Sequence, residues 1–168
     1  MNDLELLEKP EEIEKKRFCK ETIDLIEKII RAAPGATVAN EKSELGNGCK
    51  YEHTFTDGLY IRKMFLPKDT LFVTRVHKTN HPYFIMQGDV SVFLDGEMVR
   101  IQAPFSGITK IGTRRALRTH EDTIWITVHV TEKTDIADIC KDLATDTVEE
   151  FEAWQKQISG TEIKHIGG

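Results

Sequence analysis

The chain has 168 residues, of which 30 % are charged and 39 % hydrophobic, and its net charge is -5. This is the balance of a globular domain long enough to bury a core, and its acidity argues against a nucleic-acid binder, which needs a basic face. No apolar run approaches the ~20 residues that cross a bilayer, and the acidic opening MNDLELLEKPEEIEKK lacks the apolar stretch of a signal peptide, so a cytoplasmic protein with no membrane partner is expected.

Residues 11–33 have the pattern of an amphipathic helix. Ile13, Phe18, Ile23, Ile26, Ile29 and Ile30 recur at roughly helical spacing between charges, and Pro34-Gly35 stops the run. Its apolar stripe needs the main domain or a second subunit to pack on. Residues 1–40 are therefore taken as a helical arm and linker.

Residues 41–132 change to short strands divided by turns. The candidate strands are YEHTFT, LYIRKMFL, LFVTRVH, YFIMQ, DVSVFL, MVRIQA, GITKI, RRALRT and TIWITVHV. Turn signals separate most of them, with Asp95-Gly96 the best tight-hairpin signal. Many short strands at this spacing indicate an all-β sandwich or small barrel. Residues 133–168 return to helix, over 134–143 and 146–157, the latter capped by Asp146 with Glu149 three residues on. The end, SGTEIKHIGG, is expected to be loose. Three cysteines, Cys19, Cys49 and Cys140, are odd in number and form no CxxC pair, so free thiols are expected.

The strand block resembles the cupin superfamily. The first cupin motif is Gly, five residues, His-x-His, three or four residues, Glu, six residues, Gly. In RVHKTNHPYFIMQG, His77 falls on the second His, His81 stands where the Glu belongs, Gly88 follows after six residues, and Arg75 replaces the first His. The second motif, Pro-x-Gly, two residues, His, is matched by KIGTRRALR, with Gly112 retained, Lys110 for the Pro and Arg115 on the His position. The stretch is also similar to small cupin-like proteins encoded by tailed bacteriophages, through LYIRKMFLPKDT, the His-x3-His step, IQAPFSGITKIGTRR and EDTIWITVH. The resemblance implies a mainly-β fold, a single cupin-type jelly-roll barrel with an N-terminal helix and short C-terminal helices outside it. It also implies a host-cytoplasmic setting and, with the apolar first helix, a homodimer or higher oligomer.

Strand parity places His81, Tyr83 and Ile85 on one face and Arg75 with His77 on another. A hairpin turning near Glu121 would pair Arg115 with Thr127 and Thr113 with His129, and would aim Arg115, Trp125, Thr127 and His129 inward. The candidate ligand-binding set is then Arg75, His77, His81, Tyr83, Arg115, Trp125 and His129. His77, His81 and His129 could hold a divalent metal (zinc, nickel, iron or manganese), or be hydrogen-bonded residues of a metal-free pocket. An arginine cannot ligate a metal, so Arg75 and Arg115 favour an anionic ligand such as a phosphate, nucleotide or carboxylate, unless they pair with acids such as Glu52 or Glu97. Tyr83 and Trp125 read first as packing residues. His53, His120 and His165 read as surface or turn residues, and Arg114 as outward-facing.

Three functions remain open on the sequence. One is a small-molecule-binding protein holding a polar or anionic ligand such as a nucleotide or sugar signal, with or without a divalent metal. The second is a metal-dependent cupin enzyme of the isomerase, lyase or dioxygenase kind. The third is a structural or oligomerisation protein with a self-filled barrel, which the polar residues at inward positions disfavour.

Overall fold

The computed structural model describes residues 9–34, 36, 44–46 and 48–166, with side chains described except at 44–46 and 160–166. The order is α1 (Pro10–Ala32), β1 (Glu44–Gly46), β2 (Cys49–Thr56), β3 (Leu59–Leu66), β4 (Leu71–Val73), β5 (Val76–His77), β6 (His81–Gln87), β7 (Asp89–Leu94), β8 (Glu97–Gln102), β9 (Phe105–Thr109), β10 (Ala116–Thr119), β11 (Thr123–Val130), α2 (Ile136–Leu143), β12 (Ala144–Thr145) and α3 (Val148–Ile166).

The strands form a six-stranded sheet, β1-β2-β3-β11-β6-β9, and a four-stranded sheet, β4-β10-β7-β8, with every pairing antiparallel. Alternation drives this. Along β11 every second residue from Thr123 to His129 is buried, and on β6 His81, Tyr83 and Ile85 are buried. The core lies between the sheets. It joins Tyr51, Met64, Leu66, Ile85 and Trp125 of the first to Val90, Val92 and Leu117 of the second. Tight turns serve the hairpins: Asp95 (φ 51) and Gly96 (φ 85) link β7 to β8, both in the left-handed region that a two-residue type I′ turn requires.

Helix α1 begins at Pro10, with Glu11 and Glu12 in its first turn and Arg31 in its last, which suits the helix dipole. It covers the outer face of the four-stranded sheet, where Ile23 and Ile26 pack on Phe93, Ala116 and Val73. Ile13, Phe18 and Ile29, expected on the packing stripe, are exposed.

Several local expectations are corrected. LFVTRVH is two strands: Thr74 N still donates to Arg115 O beside β10, but β5 then pairs with β12 in a separate two-stranded sheet. The α3 cap lies one residue later than expected: Thr147 Oγ1 accepts from Glu150 N at 3.1 Å while the Glu150 carboxylate accepts from Asp146 N at 3.0 Å. The segment expected to be loose continues α3 to Ile166. The side chain of His165 lies outside the described residues. β10 does not form a hairpin with β11; it pairs with β4 and β7, in the opposite sheet. The three cysteines are free. No described helix is long and apolar enough to cross a membrane.

Candidate functional site

Beyond Leu66 and Thr123 at one end, the registers of the six-stranded sheet stack its inward residues in three rows. Tyr51, Met64, Trp125, Ile85 and Phe105 form the first. His53, Arg62, Thr127, Tyr83 and Gly107 form the second. The third holds Phe55, Tyr60 and His129, then His81 with Thr109. The interior therefore grades from apolar at one end of the strands to polar at the other.

At the polar end three imidazoles meet. Ring centroids of His81 and His129 are 4.3 Å apart, and those of His77 and His81 4.9 Å. His81 Nδ1 is 3.2 Å from Thr79 O and His129 Nε2 is 3.0 Å from Thr127 Oγ1. Their other nitrogens, His81 Nε2 and His129 Nδ1, are buried with no partner. Burial, reinforced by the neighbouring imidazoles and arginines, pushes His77 and His129 down to about 2. His81 is pushed down to about 4, again mainly by burial, so all three rings are neutral near pH 7. Tyr60 stacks on His129 with centroids 5.8 Å apart, and burial raises its phenol to about 12.

Two guanidinium groups border the imidazoles. Arg115 is 4 % exposed. It donates from Nη1 to Thr109 Oγ1 at 3.1 Å, and its Cζ lies 5.2 Å over the Tyr83 ring. Burial pulls it below the ordinary arginine value. Arg62 lies 5.8 Å over the Tyr51 ring, and its buried Nε has no partner. Neither arginine makes an ion pair among the described residues. Asp89 is the only buried acid among them, and it is held by Arg100 at 2.8 Å. Glu52, a possible counter-charge for an internal arginine, pairs instead with Lys63 at 3.0 Å.

The C-terminal segment closes the polar end. β12 pairs with β5, opposing Ala144 to His77, and Ile139 and Leu143 of α2 pack on Tyr60. Lys78 N donates to Leu143 O at 2.8 Å. Arg75 belongs to this closure and not to the imidazole cluster: its Nη1 donates to Cys140 O at 3.3 Å, and its Nε lies 2.7 Å from Asp146 Oδ1. Arg75 sits between β4 and β5, so the strand parity that would have aimed it beside His77 does not apply.

Of the expected residues, the structure brings together His77, His81, His129, Tyr83 and Arg115, with Trp125 stacked on Tyr83 at 4.9 Å. Sequence reasoning missed Tyr60, Arg62, Thr109 and His53, whose Nδ1 lies 2.8 Å from Tyr60 Oη. Period-two alternation with Met64 and Leu66 on β3 would have found Tyr60 and Arg62. Arg114 faces away from the interior as expected. It is nonetheless buried, beneath α1, and ion-paired to Asp24 and Glu27.

The three imidazoles expected as metal ligands do meet, and two free nitrogens on neutral rings are chemistry a divalent cation accepts. Yet among the described residues no group of three or more His, Cys, Asp or Glu side chains is disposed to hold a metal ion. As placed, the residues do not fit a resident metal.

No protein-family model and no curated protein matches the sequence. Solved structures with a similar fold include the cupin domain of Schizosaccharomyces pombe Cnp3, 16 % identical, covering 53 % of this chain and 69 % of that one, with a TM-score of 0.45. An RmlC-like cupin from Shewanella frigidimarina is 19 % identical, covering 59 % and 93 %, with a TM-score of 0.46. Ectoine synthase from P. lautus is 10 % identical, covering 61 % and 78 %, with a TM-score of 0.49. Likeness at these identities concerns fold alone. Two antiparallel sheets around one core, with helices outside, make the chain a mainly-β protein of sandwich architecture.

Proposed function

We propose that the protein binds a small anionic molecule in the polar end of its sandwich, against Arg115, Arg62 and the His77–His81–His129 cluster. The observation that carries this reading is Arg115, a guanidinium 4 % exposed with no carboxylate beside it among the described residues. An unpaired buried charge is costly, and an anion offsets that cost. The guanidinium offers a fixed fork of donors to a phosphate or carboxylate. Free imidazole nitrogens and the Thr109 and Thr127 hydroxyls add adaptable polar contacts. Tyr83, packed on Trp125, lies beneath the Arg115 guanidinium and steadies it.

The test is thermal unfolding of the full chain with inorganic phosphate, a nucleoside monophosphate, a sugar phosphate and citrate. At least one should raise the midpoint in the concentration-dependent way of a native-state ligand. Arg115→Met should abolish that rise while the ligand-free protein becomes more stable, because an uncompensated buried charge has been removed. A stabilised Arg115→Met protein with no anion response from the parent chain would favour a self-filled interior. Elemental analysis of protein purified without chelator completes the test: a stoichiometric metal lost on His81→Ala would replace the anion with a cation and reopen the enzymatic reading.

A further inference from the structure

Helix α1 carries two apolar stripes, and the four-stranded sheet covers one of them. Ile23 and Ile26 face the sheet, and the ion pairs of Arg114 with Asp24 and Glu27 fix the roll of the helix. The second stripe is Phe18, Thr22, Leu25, Ile29 and Ala32, which follow one another at steps of 4, 3, 4 and 3 residues; Phe18, at its boundary, also meets Phe93 of the sheet edge-on, with ring centroids 6.5 Å apart. That is the spacing of a coiled-coil seam. It lies roughly 120° around the helix from the packed stripe, at 100° per residue. Phe18, Leu25 and Ile29 are 55, 58 and 62 % exposed. Single exposed apolar residues are ordinary, but a continuous seam of this spacing marks a docking face.

We propose that this seam pairs α1 with the α1 helix of a second copy of the chain, antiparallel, about a two-fold axis between residues 23 and 24. Chemistry beside the seam selects the occupant. One flank, at steps of seven, carries Glu14, Glu21 and Lys28, all exposed. The other carries Glu12, Cys19 and Ile26 and is the side turned toward the sheet, where Ile26 packs. In an antiparallel pair the charged flank meets its own copy. Thr22 then layers against Leu25 of the second copy and Phe18 against Ile29, small against large, and Glu21 comes beside Lys28 twice over. In a parallel pair Glu21 would face Ile26 and gain nothing. The two-fold relation makes the contact self-complementary, so it closes at a dimer and leaves no free seam. The outer face of the helix is thereby buried without touching the polar chamber, so the inference stands apart from the ligand.

Sedimentation equilibrium of the full chain over a dilution series tests it. The parent chain should be a dimer. Leu25→Glu with Ile29→Glu, both at exposed positions, should give a folded monomer with unchanged β circular dichroism. Glu21→Lys alone and Lys28→Glu alone should each raise the dimer dissociation constant roughly tenfold, by turning two attractive pairs into repulsive ones. The double exchange, Glu21→Lys with Lys28→Glu, should restore it. A monomeric parent chain, a dimer indifferent to the Leu25 and Ile29 changes, or single charge reversals with no rescue on exchange would each overturn the antiparallel seam.

Discussion

His81 and His129 face each other across the β6–β11 ladder with ring centroids 4.3 Å apart, each with one nitrogen against a neighbouring oxygen and the other against nothing. Neutral rings tolerate this arrangement; two imidazolium ions would not.

The first prediction concerns pH. The native values, about 4 for His81 and about 2 for His77 and His129, lie below the ordinary 6.5. Above pH 6.5 both native and unfolded rings are neutral and the histidines leave stability unaffected. As pH falls below 6.5 the unfolded chain takes up protons that the native chain refuses, so stability drops, first with three groups contributing and then with two below pH 4. Each contributes a slope of about 1.4 kcal/mol per pH unit. The melting temperature should fall steeply between pH 6.5 and pH 4 and follow this slope. A flat profile over that interval would show that the rings are already charged in the native state.

Gly107 lies opposite Tyr83, and a Cβ there would come within 2.8 Å of the Tyr83 ring. Gly107→Ala should push the ring off its stack on Trp125, costing about 1–3 kcal/mol as an overpacked site. Denaturant unfolding gives the cost, and near-ultraviolet circular dichroism should report the disturbed pair. An unchanged aromatic spectrum would mean that the β6–β9 ladder yields instead.

Arg114→Met removes both ion pairs to α1, leaving Asp24 and Glu27 without their shared partner. Those acids are partly exposed, so the cost should be roughly 1–3 kcal/mol, below that of a fully buried pair. Hydrogen exchange should accelerate along α1 while β3 and β11 remain protected. Uniform acceleration would make α1 part of the main cooperative unit.

Ile139 is fully buried, against Tyr60. Ile139→Ala should cost about 2–4 kcal/mol through transfer and cavity terms. It should also expose Tyr60 and the imidazoles to solvent, which faster exchange of the His77 and Lys78 amides would reveal. Exchange unchanged at those two amides would show that α2 is not what closes the chamber.

Much of this architecture was legible because alternation is local. The sequence order of β2, β3, β6, β7 and β11 follows directly from period-two patterns, and the inward placement of His81, Tyr83, Trp125 and His129 needs nothing more. What failed was non-local. The spacing of RRALRT and TIWITVHV reads as a hairpin, yet the two strands enter opposite sheets, and Arg115 turns inward because it shares a face with Leu117 and Thr119 of the second sheet. Arg75 was misplaced because its partners, Cys140 and Asp146, lie 65 and 71 residues away in the sequence, and no local pattern announces them. His53 read as a surface residue because it is the one polar side chain among Cys49, Tyr51 and Phe55 on the inward face of β2.

The closure of the polar end has a kinetic consequence. β12 contributes only two residues to its ladder with β5, and few main-chain bonds, Lys78 N to Leu143 O among them, hold it in place. If the polar end holds the anion proposed above, that anion must wait for this short ladder to open, on entry and on exit alike. Occupancy lifetimes would then be governed by the opening rate of residues 136–145, and different occupants with quite different affinities would leave at similar speeds. The polar end would then behave as a slow reservoir whose timescale is written into the last quarter of the chain.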